Sequence, residues 1–185
     1  MLESNFYGNT VFNVVRYGNV VGSRGSIVPL FIDSLRKGEP MPVTQEDMTR
    51  FWLTLEDAIN LVMYAAESKE RACISVKKAP ACSIMQLARV VAKVMGKPDH
   101  PSKKIGLRKG EKVHEVLVAE NEMITATDGD GYITIRPYAP IPPEAISQGR
   151  EYTSLSTTKL TNEELEKLIV KAMTMAGSKY SLERA

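Results

Sequence analysis

Residues 14–52 read VVRYGNVVGSRGSIVPLFIDSLRKGEPMPVTQEDMTRFW, and the reading of this stretch decides the fold class. It lies in and beyond a mostly apolar, β-branched run, Thr10 to Val21, in which only Asn13 and Arg16 intervene before the glycines. A continuous run of that kind suits a strand buried on both faces of a parallel sheet. Gly18, Gly22 and Gly25 lead into Ser26–Lys37, which reads as a helix closed by Gly38 and Pro40. Strand, glycine-bearing loop and helix in that order open an α/β unit.

Working outward, Thr54 with Asp57 three residues on caps a second helix, with Leu55, Ile59, Leu61, Val62 and Ala66 as its apolar stripe. Ala72–Lys77 is a second short strand. After an Ala-Pro-Ala turn, Ser83 and Gln86 form a capping box for a helix through Met95, ended by Gly96 and Pro98. The prolines of GEPMPVTQ, residues 38–45, suit a loop. Residues 97–112, KPDHPSKKIGLRKGEK, form a basic, Pro-containing connection, followed by a short amphipathic segment near Val113–Leu117. MITAT and YITIRP flank Asp128-Gly129-Asp130-Gly131, a hairpin signal. A Pro-rich loop (Pro137 to Pro143) follows, and Thr161 with Glu164 caps a final helix to about Met175. Residues 1–9 read as a frayed end.

A chain of 185 residues is one domain by default, with room for a small appendage, and it buries about two-thirds of its unfolded surface. Twenty-four Lys+Arg against 22 Asp+Glu leave +2, too balanced for bulk attraction to nucleic acid or membrane. Anion binding must therefore be local. The 2 cysteines, Cys73 and Cys82, lack C-x-x-C spacing and read as reduced structural thiols of a cytoplasmic protein. The first residues carry neither a basic nor an apolar signal region, and no apolar run approaches the roughly 18–20 residues that span a bilayer.

The glycines invite a dinucleotide fingerprint, since they let backbone amides approach a phosphate at a helix N-terminus. No acidic residue ends a second strand at the required distance, so a substrate-facing loop or a structural turn fits better. Asn19 and Arg24 flank the glycines; amide and guanidinium can both donate to phosphate oxygens, and the alternative is loop backbone for Asn19 and solvent for Arg24. Arg16, inside an apolar strand, calls for a carboxylate. Arg50, beside Phe51 and Trp52, fits either a phosphate or a salt bridge to Glu46, Asp47 or Glu56. Arg108-Lys109-Gly110-Glu111 couples a phosphate-type cation with a carboxylate suited to ribose hydroxyls. Lys97, Lys103, Lys104, Arg108, Lys109 and Lys112 could instead form a nucleic-acid patch, but no aromatic platform interleaves them. His114-Glu115 lacks the remainder of a zinc motif, and Asp128–Gly131 lacks the remaining ligands of a calcium loop, so no metal is expected. No tyrosine is followed four residues later by lysine and there is no G-x-S-x-G elbow, so catalysis by this chain alone is unsupported.

VVRYGNVVGSRGSIVPLF, VTQEDMTRFWLTLEDAINLV, VKKAPACSI and LRKGEKVHEVLV, in this order and spacing, resemble the C-terminal part of extended short-chain dehydrogenase/reductases of the polysaccharide-biosynthesis type. The closest group is the inverting UDP-N-acetylglucosamine 4,6-dehydratases. The resemblance implies an α/β fold in which Val11–Arg16 and Ile74–Lys77 are strands of a Rossmann sheet whose remainder is absent. Residues 1–96 would then hold the sheet remnant and an α/β substrate-binding part, and 97–185 a subdomain with the hairpin and final helix. By position Asn19 would face the diphosphate, and Tyr17, through its backbone, the nicotinamide edge. Met41, Pro42, Val43 and Thr44 would line a uracil pocket. Arg50 and Arg108 would clamp the diphosphate, Glu111 would bind ribose, and Ser23, Arg24 and Ser26 would lie near the hexose. The family implies NADP in the complete enzyme, held by an N-terminal half that also supplies a Tyr-x-x-x-Lys pair. For this chain the resemblance implies a UDP-sugar as ligand, no cofactor held alone, and a separate Rossmann half or a second copy as partner. Alternatives are a non-catalytic nucleotide-sugar-binding or regulatory module and a piece of a UDP-sugar 4-epimerase.

Overall fold

The computed structural model describes residues 1–23, 25–141 and 150–175. After a 3-10 turn (Leu2–Phe6), the chain forms β1 (Val14–Arg16), β2 (Asn19–Val20), α1 (Ile27–Lys37), β3 (Met41–Val43), β4 (Thr49–Leu53) and α2 (Leu55–Glu67). Then come β5 (Ile74–Lys77), β6 (Ala81–Ser83), α3 (Ile84–Val94), β7 (Ser102–Lys104), β8 (Val116–Val118) and the single turn α4 (Glu120–Met123). The hairpin β9 (Ala126–Gly129) and β10 (Tyr132–Ile135), strand β11 (Tyr152–Thr153) and helix α5 (Asn162–Met175) complete it. The class is α/β with mixed sheets.

The one strand expected over Thr10–Val21 is two, because the chain changes sheet at Tyr17-Gly18. β1 pairs parallel with β5 in a sheet ordered β1-β5-β10-β9, whereas β2 pairs parallel with β4 in a sheet ordered β2-β4-β6. Gly18 makes the crossing possible: a Cβ there would sit 2.4 Å from Phe51 Cβ, closer than atoms pack. The hairpin turns on Asp130-Gly131, with Gly131 at φ +79°, and β10 joins β5 antiparallel, so it extends the sheet of β1 and β5.

The loop expected over residues 38–45 instead contains β3, parallel to β7 with Met41 opposite Ser102. Pro42 is tolerated because β3 has a single neighbour, leaving the nitrogen of Pro42 no ladder bond to forfeit. Local caps form as the spacing predicts. Thr54 and Asp57 exchange both bonds of a capping box, and so do Thr161 and Glu164. At α3 only half the box forms: Ser83 accepts from the Gln86 N–H, while the Gln86 amide reaches Leu160 O and Asn162 Oδ1.

Two cores lie on either side of β4, and each draws residues from before and after position 96. Val28, Phe31, Ile32, Leu35, Leu87, Val91, Leu165 and Ile169 pack with Trp52 between α1, α3 and α5. Phe51 and Leu53 point the other way, onto Ile74, Val76, Leu117, Val118, Ile133 and Ile135. The alternation at Phe51-Trp52-Leu53 is the period of a strand buried on both faces. Helix α2 departs from expectation. Only Ala58, Leu61 and Ala65 are buried, while Leu55, Ile59, Val62 and Met63 are about half exposed. No helix among the described residues is long and apolar enough to cross a membrane.

Candidate functional site

The crossing from β1 to β2 places Tyr17, Gly18 and Asn19 along one wall of a cavity of about 510 Å³. Gly110–Lys112 and Glu115–Leu117 supply the facing wall, and Arg50 of β4 reaches it too. The volume lies within the roughly 300–1,000 Å³ of small-molecule sites. Arg50, Glu111, Asn19 and Tyr17, expected at the site from sequence, are therefore brought together from segments as much as 94 residues apart (111 − 17).

Arg50 is held rigidly. Its Nη1 donates to the carbonyls of Thr49 (2.8 Å) and Val113 (3.1 Å), and its Nη2 to that of Lys112 (2.9 Å). The Glu115 carboxylate stands 3.8 Å from Nε. None of the anticipated acidic partners, Glu46, Asp47 or Glu56, makes an ion pair with it; Glu115 does, and main-chain carbonyls hold the rest. The guanidinium side chain is 13% exposed, so its charge is felt through a largely desolvated setting. Glu115 Oε2 and Asn19 Oδ1 are both buried without a hydrogen-bond partner. A buried acceptor left bare costs about 1–3 kcal/mol, and a ligand hydroxyl or amide would satisfy either one.

Arg16 also lines the cavity, but its charge is spent. Nη1 and Nη2 donate to the two oxygens of Glu122 at 2.7 and 2.9 Å, as an arginine in an apolar strand requires, and Nη1 also reaches Leu117 O. The Arg16 guanidinium holds the Glu122 carboxyl below its usual range, aided by the Ala119 N–H. Arg50 and Lys112 thus remain as cations against Glu111 and Glu115 as carboxylates. Such a mixed lining suits a ligand with both anionic groups and hydroxyl donors.

Other expected site residues lie apart from this cavity. Arg108 is exposed on the turn closed by Glu111 N–H to Arg108 O, and Glu111 Oε2 accepts from the Arg108 N–H at 2.9 Å. Arg108 thus stands on the turn that leads to Gly110 but does not itself line the cavity. Met41 is 1% exposed within the first core, Pro42 is half-buried in β3, and the Thr44 hydroxyl donates to Met48 Sδ. Ser23 lines a smaller apolar cavity of about 210 Å³ with Gly22, Leu168 and Ala172, and Ser26 Oγ is buried without a partner. Arg24 lies outside the described residues.

The three glycines of the loop differ in their surroundings, and beside Gly25 (φ +72°) nothing lies within 4 Å. The space beside Gly18 is filled by Phe51, and that beside Gly22 (φ +77°) by Ala172. Cys73 and Cys82 are buried and unbonded to each other; burial pushes the thiols up to about 11 and about 12, so neither is a nucleophile near neutral pH. Sequence reasoning missed Glu115, weighing His114-Glu115 only as a metal motif. Its place beside Arg50 depends on pairing across 65 residues and gave no sequence signal.

A family profile described as "Polysaccharide biosynthesis protein" matches residues 2–137. A protein of Rickettsia akari named UDP-glucose 4-epimerase is 37% identical over 172 residues, covering 88% of this chain and 50% of that protein. The crystal structure of Pen from Bacillus thuringiensis superposes with TM-score 0.78 at 31% identity, over 92% of this chain and 52% of Pen. UDP-glucuronic acid 4-epimerase from Bacillus cereus, solved with UDP-glucuronic acid and NAD, gives TM-score 0.53 at 17% identity, over 94% of this chain and 48% of that enzyme. The last likeness shows the fold alone: the chain has the fold of the C-terminal part of extended Rossmann-type epimerases and dehydratases. It spans about half the length of the curated relatives it matches.

Proposed function

Because the chain belongs to the polysaccharide biosynthesis protein family, we propose that it is the UDP-sugar-binding portion of a nucleotide-sugar epimerase or dehydratase of the extended short-chain dehydrogenase/reductase type. The observation that carries this reading is the cavity in which Arg50 meets Glu111, Glu115 and Asn19. A guanidinium favours phosphate oxygens, and carboxylates favour the hydroxyls of ribose or hexose. In this reading Arg50 takes the diphosphate, Arg108 would close on it from the turn it shares with Glu111, and Glu111 trades its Arg108 N–H for a ribose hydroxyl. Met41, Pro42 and Thr44 would meet uracil through backbone atoms, since the Met41 side chain is in the core.

NADP, or NAD as in the Bacillus cereus enzyme, would be held by the other half of the complete enzyme, with Tyr17 at its edge. No chemical step is assigned to this chain, whose sequence carries no Tyr-x-x-x-Lys pair. Inverting UDP-N-acetylglucosamine 4,6-dehydration remains one candidate reaction. A UDP-sugar 4-epimerase is favoured at least as well by relatives named UDP-glucose 4-epimerase.

Calorimetry with UDP tests the binding claim. The wild-type chain should bind, and Arg50→Ala should weaken binding about tenfold or more, the scale of one lost charge-assisted bond. An absence of heat with UDP, or an unchanged affinity in Arg50→Ala, would overturn the assignment.

A further inference from the structure

Thr49, next to Arg50, belongs to a polar cluster with His114 and Ser154, none of which lines the cavity; Thr49 and Ser154 are buried and His114 is half-buried. Thr49 is 7% exposed and Ser154 0%. Four contacts join them. The Glu115 N–H donates to Ser154 Oγ at 2.9 Å, and Ser154 Oγ donates to the Thr49 carbonyl at 3.0 Å. Thr49 Oγ1 lies 2.7 Å from Ser154 Oγ and 2.8 Å from His114 Nδ1. Main-chain bonds run alongside, Thr49 N–H to Val113 O and Ser154 N–H to Glu115 O.

The protons can be counted. Each hydroxyl carries one. The Ser154 proton goes to the Thr49 carbonyl, which can only accept. The Thr49–Ser154 contact then needs the Thr49 proton. Nothing is left for the Thr49–His114 contact except a proton on Nδ1. All four contacts are hydrogen bonds together only when His114 donates from Nδ1. With Nδ1 bare, one of the four is lost beside the buried Thr49 and Ser154 hydroxyls, where an unmade bond is costly.

What the cluster holds is the segment that cradles Arg50. Lys112 and Val113 carbonyls take two of its three main-chain bonds, and Glu115 is its carboxylate neighbour. We infer that His114 is a positioning residue: through Nδ1–H to Thr49, and Thr49 to Ser154, it fastens residues 112–115 onto β4 and so fixes the Arg50 guanidinium at the cavity. The consequence for ligand binding rests on the nucleotide-sugar reading of that cavity; the fastening itself does not.

Three NMR and binding measurements on the full chain test this. Long-range 15N–1H spectra should show Nδ1 of His114 protonated near neutral pH. His114→Ala and the near-isosteric Thr49→Val should speed solvent exchange of the Arg50 Nε proton and weaken UDP binding, each by about five- to tenfold, the scale of one net hydrogen bond. His114→Asn should restore both to within about threefold of wild type, because its amide N–H can take the place of Nδ1–H. Tyr152→Phe, which removes a hydroxyl bonded to Ala79 and Thr157, serves as a general destabiliser and should leave Arg50 exchange unchanged. A bare Nδ1, an Arg50 exchange rate unmoved in both His114→Ala and Thr49→Val, or an equal change in Tyr152→Phe would each overturn the inference. Should the wild type not bind UDP at all, the nucleotide-sugar reading falls, while Arg50 exchange still decides the role of His114.

Discussion

Glu122 takes three N–H donors, two from Arg16 and one from Ala119, at 2.7 to 3.0 Å. Its carboxyl is held low chiefly by the Arg16 bonds, and that of Glu70 chiefly by Arg136. A folded-state value below the unfolded carboxylate value of about 4.3 stabilises the fold above that pH, and the contribution is lost as pH falls through the lower folded value. Both pairs are partly exposed, so the effect is modest. Glu122→Gln should cost about 1–2 kcal/mol at pH 7 in urea unfolding. The difference from wild type should shrink when unfolding is repeated below pH 4, and a difference that grows there would refute the assignment. The need of Arg16 for a carboxylate was legible in the sequence. Which one was not, since Glu122 is 106 residues away.

Helix α2 has an unusual distribution of apolar groups. Leu55, Ile59, Val62 and Ala66 fall at helical spacing, yet all are exposed, and the sheet packs on Ala58, Leu61 and Ala65 instead. A helix apolar on two faces is built to be covered twice. Beside it, β1 has a partner on one edge only among the described residues. Both features suit the partner half proposed above. Changing Leu55, Ile59 and Val62 together to Glu, Lys and Gln should leave the unfolding free energy of the chain within about 0.5 kcal/mol per site while raising its solubility. Leu61→Ala should cost about 2–5 kcal/mol by the same measurement. The caps, the hairpin and the four long helices were legible because their signals sit within four residues of one another. Strands β3, β4, β6, β7 and β11 were not, because each is short and stabilised by partners far along the chain, as Met41 is by Ser102. The site shows the same division: Arg50, Glu111 and Asn19 were readable as ligand chemistry, whereas the carbonyl cradle and Glu115 exist only after folding.

At the scale of the whole molecule, the chain carries a cavity with charge and hydrogen-bonding groups but no assigned reacting group. Purified alone with NADP and UDP-N-acetylglucosamine or UDP-glucose, it should give no turnover. Co-expression with the first half of a relative such as the Rickettsia akari protein should restore it, followed by mass spectrometry: an epimer keeps the mass of the substrate, and a dehydratase product is lighter by one water. Turnover without the added half would place catalysis in this chain. The two cores that share β4 carry a different consequence, one of timing. Arg50 precedes Lys112 and Val113, whose carbonyls cradle it, by some sixty residues, and Thr49 precedes Ser154, to which it is bonded, by 105. Contacts that distant form slowly and late. On the ribosome, at about 5–20 residues per second, the cavity therefore cannot exist until several seconds after its arginine has emerged. A nascent chain stalled before Ser154 would present β4 with Thr49 unbonded and Arg50 loosely held, a ready client for chaperones.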